Sequence, residues 1–402
     1  MNCATKIWDD LYYVGGSDRR IRKFENILPI HHGVSYNSYL FLDEKTCLMD
    51  TADQSISRLF LENVTSVLGT RKLDYLVIHH MEPDHCYNIT EILLRYPEVQ
   101  LVGNAQTFKM LHNFFPELDT QGKEIVVKDG DTLSLGKRKL HFYLTPMVHW
   151  PEVMMTFEET QGLLFTADAF GTFNALDGNL YADEVRYDRN FLDMARMYYT
   201  NIVGKYGQSV QQAFSKLPID KVTMLLSLHG PIWRKDLGYI IDKYQKWSTY
   251  TPEEKGVIII YATMYGDTEN AADILARDLS SQGITNIKEY DASYTDEDWL
   301  VSESFRVSNI VIISPTYNMT IHPDIDTYLS GMMRMALAKR TFTLIQAGSW
   351  CPSSLCLMKA KMACQKTFTY TPSELTILSG VKPCDVTSLE TIAGEIKKSL
   401  GE

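Results

Sequence analysis

Residues 73–85 read LDYLVIHHMEPDH. A run of Leu, Tyr, Val and Ile has the composition of a buried strand. It runs straight into His79, His80, Glu82, Asp84 and His85, side chains that all bind metals. Such a stretch needs a sheet with a polar centre at the C-terminal ends of its strands. Pro83 disfavours helix at Glu82. Alternate residues of an extended chain face one side, so His80, Glu82 and Asp84 are expected to converge. His85 opens the next turn, ahead of the helical pattern ITEILLRYP.

Three more candidates end apolar strands. His149 follows KLHFYLTPM, Asp168 ends LLFTAD, and His229 ends MLLSLH before Gly230 and Pro231. Open α/β sheets place their sites at such strand ends. Asp50, ending TCLMD, is expected to orient a ligand from behind. His31, His32, His79, His112, His141 and His322 are read as surface or hydrogen-bonded structural histidines.

Strand-like and helical runs interleave up to about residue 250, which predicts an α/β layered sandwich. The polar stretch KWSTYTPEEKG reads as a linker, dividing the chain into 1–250 and 251–402. Beyond it, VIIIY, SNIVIIS and KRTFTLIQ are uniformly apolar strands separated by helices, the pattern of a doubly wound parallel sheet. Each ends in a loop rich in hydroxyl and aromatic residues. The first carries Thr263, Met264, Tyr265, Gly266, Asp267 and Thr268. The second carries Pro315, Thr316, Tyr317 and Asn318, and the third Gly348, Ser349, Trp350 and Cys351.

With a net charge of −11, the chain is a poor partner for nucleic acid. Its seven cysteines include no CxxC pair, which argues against a rubredoxin-like module and fits a reducing compartment. No basic-then-apolar leader opens the sequence, and no run approaches the roughly 20 apolar residues of a membrane span. A soluble cytoplasmic protein is expected.

The ligand series resembles the metallo-β-lactamase fold, an αββα sandwich. Hydrolases of that fold carry HxHxDH, whereas Glu82 stands here at the third place. A carboxylate is a harder ligand and suits iron better than zinc. The resemblance implies two metal positions, one held by His80, Glu82 and His149, the other by Asp84, His85 and His229, with Asp168 bridging. The loop at 263–268 is similar to the flavodoxin phosphate loop, and a helix N-terminus suits a phosphate. The later loops are then expected to flank the FMN isoalloxazine, with Tyr317 or Trp350 stacking on it.

Both halves, in this order, resemble a flavodiiron protein. Membership implies an oxidoreductase with two irons and FMN that reduces O2 to water, NO to N2O, or both. It implies electrons from an external donor, rubredoxin-like or a reduced deazaflavin. It further implies a head-to-tail homodimer or a dimer of dimers. The chain departs from the family at Cys86 and Tyr87, at Glu152 and Val153, at Thr172 and Phe173, and after Trp350. The rival reading is a zinc hydrolase with a flavodoxin-like docking domain, and Glu82 speaks against it. A scaffold or electron-transfer protein without metal chemistry is the third.

Overall fold

The computed structural model describes residues 3–401. They form two compact units. One takes the chain up to Tyr199 together with Gln208–Tyr244; the other takes Thr200–Gly207 and the chain from Gln245 onward.

The first unit is built on two main sheets. One runs in the order Thr5–Trp8, Leu11–Tyr13, Tyr39–Leu42, Thr46–Met49, Tyr75–Val77, Gln100–Gly103, Glu124–Val126. Its pairs are antiparallel as far as Thr46–Met49 and parallel beyond it. The switch follows from the connections, because parallel neighbours need a crossover and helices Ser57–Leu68 and Ile89–Arg95 supply two. The other sheet runs Thr132–Ser134, Lys139–Leu144, Met154–Glu158, Leu163–Phe165, Met224–Leu226. The sheets meet face to face, with the Phe165 ring 5.5 Å from Tyr39 and 5.6 Å from Phe41. Helix Ser57–Leu68 buries Phe60, Leu61, Val64 and Leu68 on one stripe, as an amphipathic outer layer must. The αββα sandwich read from the sequence is the architecture found.

A buried arginine ties this unit together. Arg138 donates to Asp10 through Nε (2.9 Å) and Nη2 (2.6 Å), and to Glu158 through Nη1 (3.0 Å). Its hydrogen bond holds the Asp10 carboxyl below the usual carboxylate range. A depressed carboxylate stabilises the fold above its ordinary pKa of about 3.9 and loses that contribution as pH falls through its lower folded value. Unfolding free energies from urea titrations of wild type and Asp10→Asn should therefore differ by on the order of 1 kcal/mol at pH 7 and converge at the acid end.

In the second unit the strands lie in the order Ile287–Asp291, Glu254–Tyr261, Val307–Tyr317, Thr341–Ala347. Thr369–Tyr370 and Leu375–Ile377 both pair with the last of these. All these pairings are parallel, and the order 2-1-3-4-5 is that of doubly wound flavodoxin-like sheets. Val257 to Ile260 are 0% exposed, which explains their uniform apolarity: helices cover both faces. The polar stretch read as a linker holds the end of helix Leu237–Ser248 and the start of strand Glu254–Tyr261.

Candidate metal centre and flavin cleft

Strand Tyr75–Val77 stops short of the histidines, and their roles separate there. The His79 N–H donates to Asp50 Oδ1 (2.7 Å); its ring faces Asp50 Oδ2 through Nδ1 and Thr156 Oγ1 (2.7 Å) through Nε2. Both ring nitrogens are used, so His79 is structural. Asp50 thus orients His79 and not a ligand, contrary to expectation.

Glu82 is extended (φ −64°, ψ 141°) ahead of Pro83, and Pro83–Cys86 then forms one helical turn. That turn corrects the expected convergence. His80 and Glu82 face one point, while Asp84 has left the extended alternation and turns with His85 to a second one. His229 is placed by its own loop. Asn37 Nδ2 donates to the carbonyls of Ser227 and Gly230 (2.9 Å each), and Tyr39 OH donates to Ser227 O (2.7 Å). Gly230 has φ +78°, and a Cβ there would lie 2.2 Å from Thr172 Cγ2, so only glycine fits.

The candidate ligands gather in two buried groups, His80, Glu82, His149 and Asp168, and Asp84, His85 and His229. In the first, His80 Nε2 lies 3.2 Å from Glu82 Oε2, 3.3 Å from His149 Nε2 and 3.4 Å from Asp168 Oδ2. In the second, His85 Nε2 lies 3.1 Å from His229 Nε2 and 3.2 Å from Asp84 Oδ2. Asp168 spans both: Oδ2 is 3.1 Å from His149, and Oδ1 is 3.1 Å from His85 and 3.6 Å from His229. A cation about 2.0–2.2 Å from each donor would set neighbouring donors about 2.9–3.6 Å apart, the spacing seen.

The donor set fits metal ions on two further grounds. Both Asp84 oxygens and Asp168 Oδ1 are buried without a hydrogen-bond partner, an arrangement that costs free energy unless a cation takes their lone pairs. The cluster also demands positive charge. Burial alone would lower the His80 pKa, yet Asp168, Glu152 and Glu82 raise it to about 10; His149 is raised to about 9 against the same burial by Asp168 and Glu82.

Other residues of the centre were given no role from the sequence. Glu152, 0% exposed, accepts from His80 Nδ1 (2.8 Å) and from the Met81 N–H (2.8 Å). The Ser35 carbonyl faces His229 Nδ1 at 2.7 Å. The Tyr198 ring lies 5.3 Å from that of His229; its buried hydroxyl has no partner, and burial keeps it protonated. Trp150 packs edge-on against His80 at 5.2 Å. Among the departures, Cys86 is buried and donates to Met81 O (3.2 Å), bracing the ligand loop, while Tyr87 is 38% exposed. Thr172 donates to Phe173 O (3.0 Å), and the Phe173 ring packs 5.0 Å from Tyr198.

In the second unit a cleft of about 210 Å³ is lined by Thr263, Met264, Tyr265, Asp267, Thr268, Pro315, Thr316, Asn318, Gly348, Ser349 and Trp350. Met319, Ala347 and Ser379, not foreseen, line it too. Gly266, Tyr317 and Cys351 are not among the lining residues. Gly266 (φ +95°) turns the first loop, its N–H donating to Thr263 Oγ1 (2.9 Å). The Tyr317 ring lies 6.2 Å from that of His322, at the end of strand Val307–Tyr317. Helix Asp267–Ser281 has no side-chain cap at its N-terminus, leaving N–H donors for a phosphate. Tyr265 and Trp350, 90% and 71% exposed, offer apolar faces that a flat ring would cover.

A binuclear metal centre on an αββα sandwich, joined in one chain to a flavodoxin-like unit, defines a metal- and flavin-dependent oxidoreductase. Residues 34–230 match the model of the ODP family beta lactamase. The anaerobic nitric oxide reductase flavorubredoxin of Escherichia coli O1:K1 / APEC is 30% identical over 352 residues, covering 85% of this chain and 71% of that protein. Its counterpart in Salmonella typhi is also 30% identical, with the same coverage. Rubredoxin oxygen:oxidoreductase from Desulfovibrio gigas superposes with a TM-score of 0.91 at 27% identity, covering 99% of each chain. The Giardia intestinalis flavodiiron protein shares the fold, with a TM-score of 0.92 at 22% identity over 100% of this chain and 98% of that one. The chain belongs to the flavodiiron protein family.

Proposed function

We propose that the protein reduces O2 to water, NO to N2O, or both, at two irons held by His80, Glu82 and His149 and by Asp84, His85 and His229, with Asp168 between them. The loops at 263–268, 315–318 and 348–351 would hold an FMN, which would supply the electrons. The observation that carries this is Glu82 inside the first ligand group, where a zinc hydrolase would present a third histidine. The irons would supply Lewis acidity and electrons to a small gas, and FMN would take electrons in pairs and release them singly.

The chain's own residues prepare the rest. Glu152 and the Ser35 carbonyl each fix a histidine with its Nε2 lone pair toward a metal position. Asp168 offers one oxygen to each position, which fixes their separation. The ligands are buried, Asp84 being the most exposed at 8%. Such a centre admits a diatomic gas more readily than an ester or a lactam, and keeps water from competing. Tyr198 presents a protonated hydroxyl beside it.

The named relatives include a nitric oxide reductase and an oxygen oxidoreductase, so both gases stand within the proposal. Their names also favour a rubredoxin-like donor over a reduced deazaflavin. A head-to-tail homodimer or dimer of dimers, a functional division at 1–250 and 251–402, and a cytoplasmic location complete it. Among the described residues no helix is long and apolar enough to cross a membrane. Protein purified from its native source should be yellow and carry iron; zinc without iron, in a colourless protein, would favour the hydrolase.

Asp267 lines the cleft in the first turn of the phosphate-facing helix, where its carboxylate opposes a phosphate dianion. Asp267→Asn should tighten FMN binding about 2- to 5-fold, the equivalent of about 0.3–1 kcal/mol. Riboflavin, lacking the phosphate, should bind unchanged. Fluorescence titration of the deflavinated protein with each flavin checks this.

A further inference from the structure

The two metal positions have similar first ligands but different surroundings. His80 Nδ1 meets a carboxylate, Glu152 Oε1, at 2.8 Å. His229 Nδ1 meets only a neutral carbonyl, that of Ser35, at 2.7 Å. His85 Nδ1 is buried with no hydrogen-bond partner. Glu152 is itself held in place. Its Oε1 also accepts the Met81 N–H at 2.8 Å, and its main-chain carbonyl accepts from Asn104 Nδ2 at 2.6 Å. Asn104 in turn caps helix Ala105–Phe114, accepting the N–H groups of Gln106 and Thr107. The carboxylate is therefore anchored to the start of a helix and to the ligand loop at once.

An ionised carboxylate only accepts hydrogen bonds, and Oε1 takes one from the Met81 N–H and one from His80, which therefore supplies the Nδ1 proton. That fixes the tautomer with the Nε2 lone pair toward Glu82, His149 and Asp168. A buried anion pulling on the Nδ1 proton makes Nε2 a stronger donor to a cation than a carbonyl partner does.

We infer that Glu152 is a positioning residue for His80 that makes the two metal positions inequivalent, so that a divalent cation fills the His80, Glu82 and His149 position before the Asp84, His85 and His229 position. This rests on the two-metal reading of the centre.

The test is titration of the metal-free full-length protein with Zn²⁺, following ¹⁵N-labelled histidine side chains by NMR. In the wild type the first equivalent should shift the His80 and His149 signals, and the second those of His85 and His229. The His80 Nδ1 proton should lie downfield of the His229 one. In Glu152→Gln, Zn²⁺ affinity at the His80 position should fall about 10- to 100-fold, the usual effect of losing an outer carboxylate, with the other position unchanged. Simultaneous filling of both positions in the wild type, or equal affinities in the variant and wild type, overturns the inference while leaving two metals in place. Binding of no Zn²⁺ by these histidines would instead sink the metal reading. The filling order and proton shifts are read in the wild type, so they decide the matter even if Glu152→Gln does not fold.

Discussion

Asp168→Ala is expected to empty both metal positions in one step. Its two carboxylate oxygens face different ligand groups, Oδ2 toward His149 and Oδ1 toward His85. On the proposed assignment, losing it takes one ligand from each position and the charge that both share. It also leaves His80 and His85 without a carboxylate 3.4 Å and 3.1 Å away, respectively. Metal content should fall from two per chain to near none, and gas reduction to background. Asp84→Ala touches one group only and should leave one metal bound. FMN content should be unchanged in both, because the flavin loops contribute nothing to these ligand groups. Elemental and flavin analysis of the same samples reads all three quantities. Retention of one metal in Asp168→Ala would show that Asp168 does not bridge.

Arg340→Met should destabilise the flavodoxin-like unit by about 3 kcal/mol or more. Arg340 is 1% exposed and donates only to main-chain carbonyls: Ser304 and Phe305 through Nε and Nη2, and Tyr250, Ala338 and Lys339 through Nη1. The guanidinium gathers the end of helix Glu297–Arg306 and the chain entering strand Thr341–Ala347. Methionine fills similar space but leaves those carbonyls short of donors in a site closed to water. Urea unfolding followed through bound-flavin fluorescence should show the midpoint drop, with the metal content of the folded protein unaltered.

The two groups of candidate ligands were legible in the sequence because a dense HxExDH and three further ligand types stand at the ends of apolar strands. The role of Glu152 was not, since a carboxylate in a loop after His149 looks like any solvated one until the fold buries it against His80. Tyr198 lies on helix Leu192–Tyr198, in a region of short helices between 182 and 206 whose periodicity is too brief to read. The Asp84 turn was hidden because Pro83 both ends an extended segment and opens a helix, and only the second effect governs Asp84. Strand Val307–Tyr317 outlasts its apolar run, so the end of the second flavin loop could not be placed from apolarity alone. The doubly wound sheet was plain because strands covered on both faces cannot hide their apolarity.

The most direct test of the account is an anaerobic stopped-flow experiment. Protein carrying two irons and FMN is fully reduced, then mixed separately with NO and with O2. The account predicts rapid reoxidation by at least one gas, with N2O formed from NO, or with O2 consumed to water without accumulating hydrogen peroxide. Turnover of neither gas, with both irons and FMN present, would contradict it.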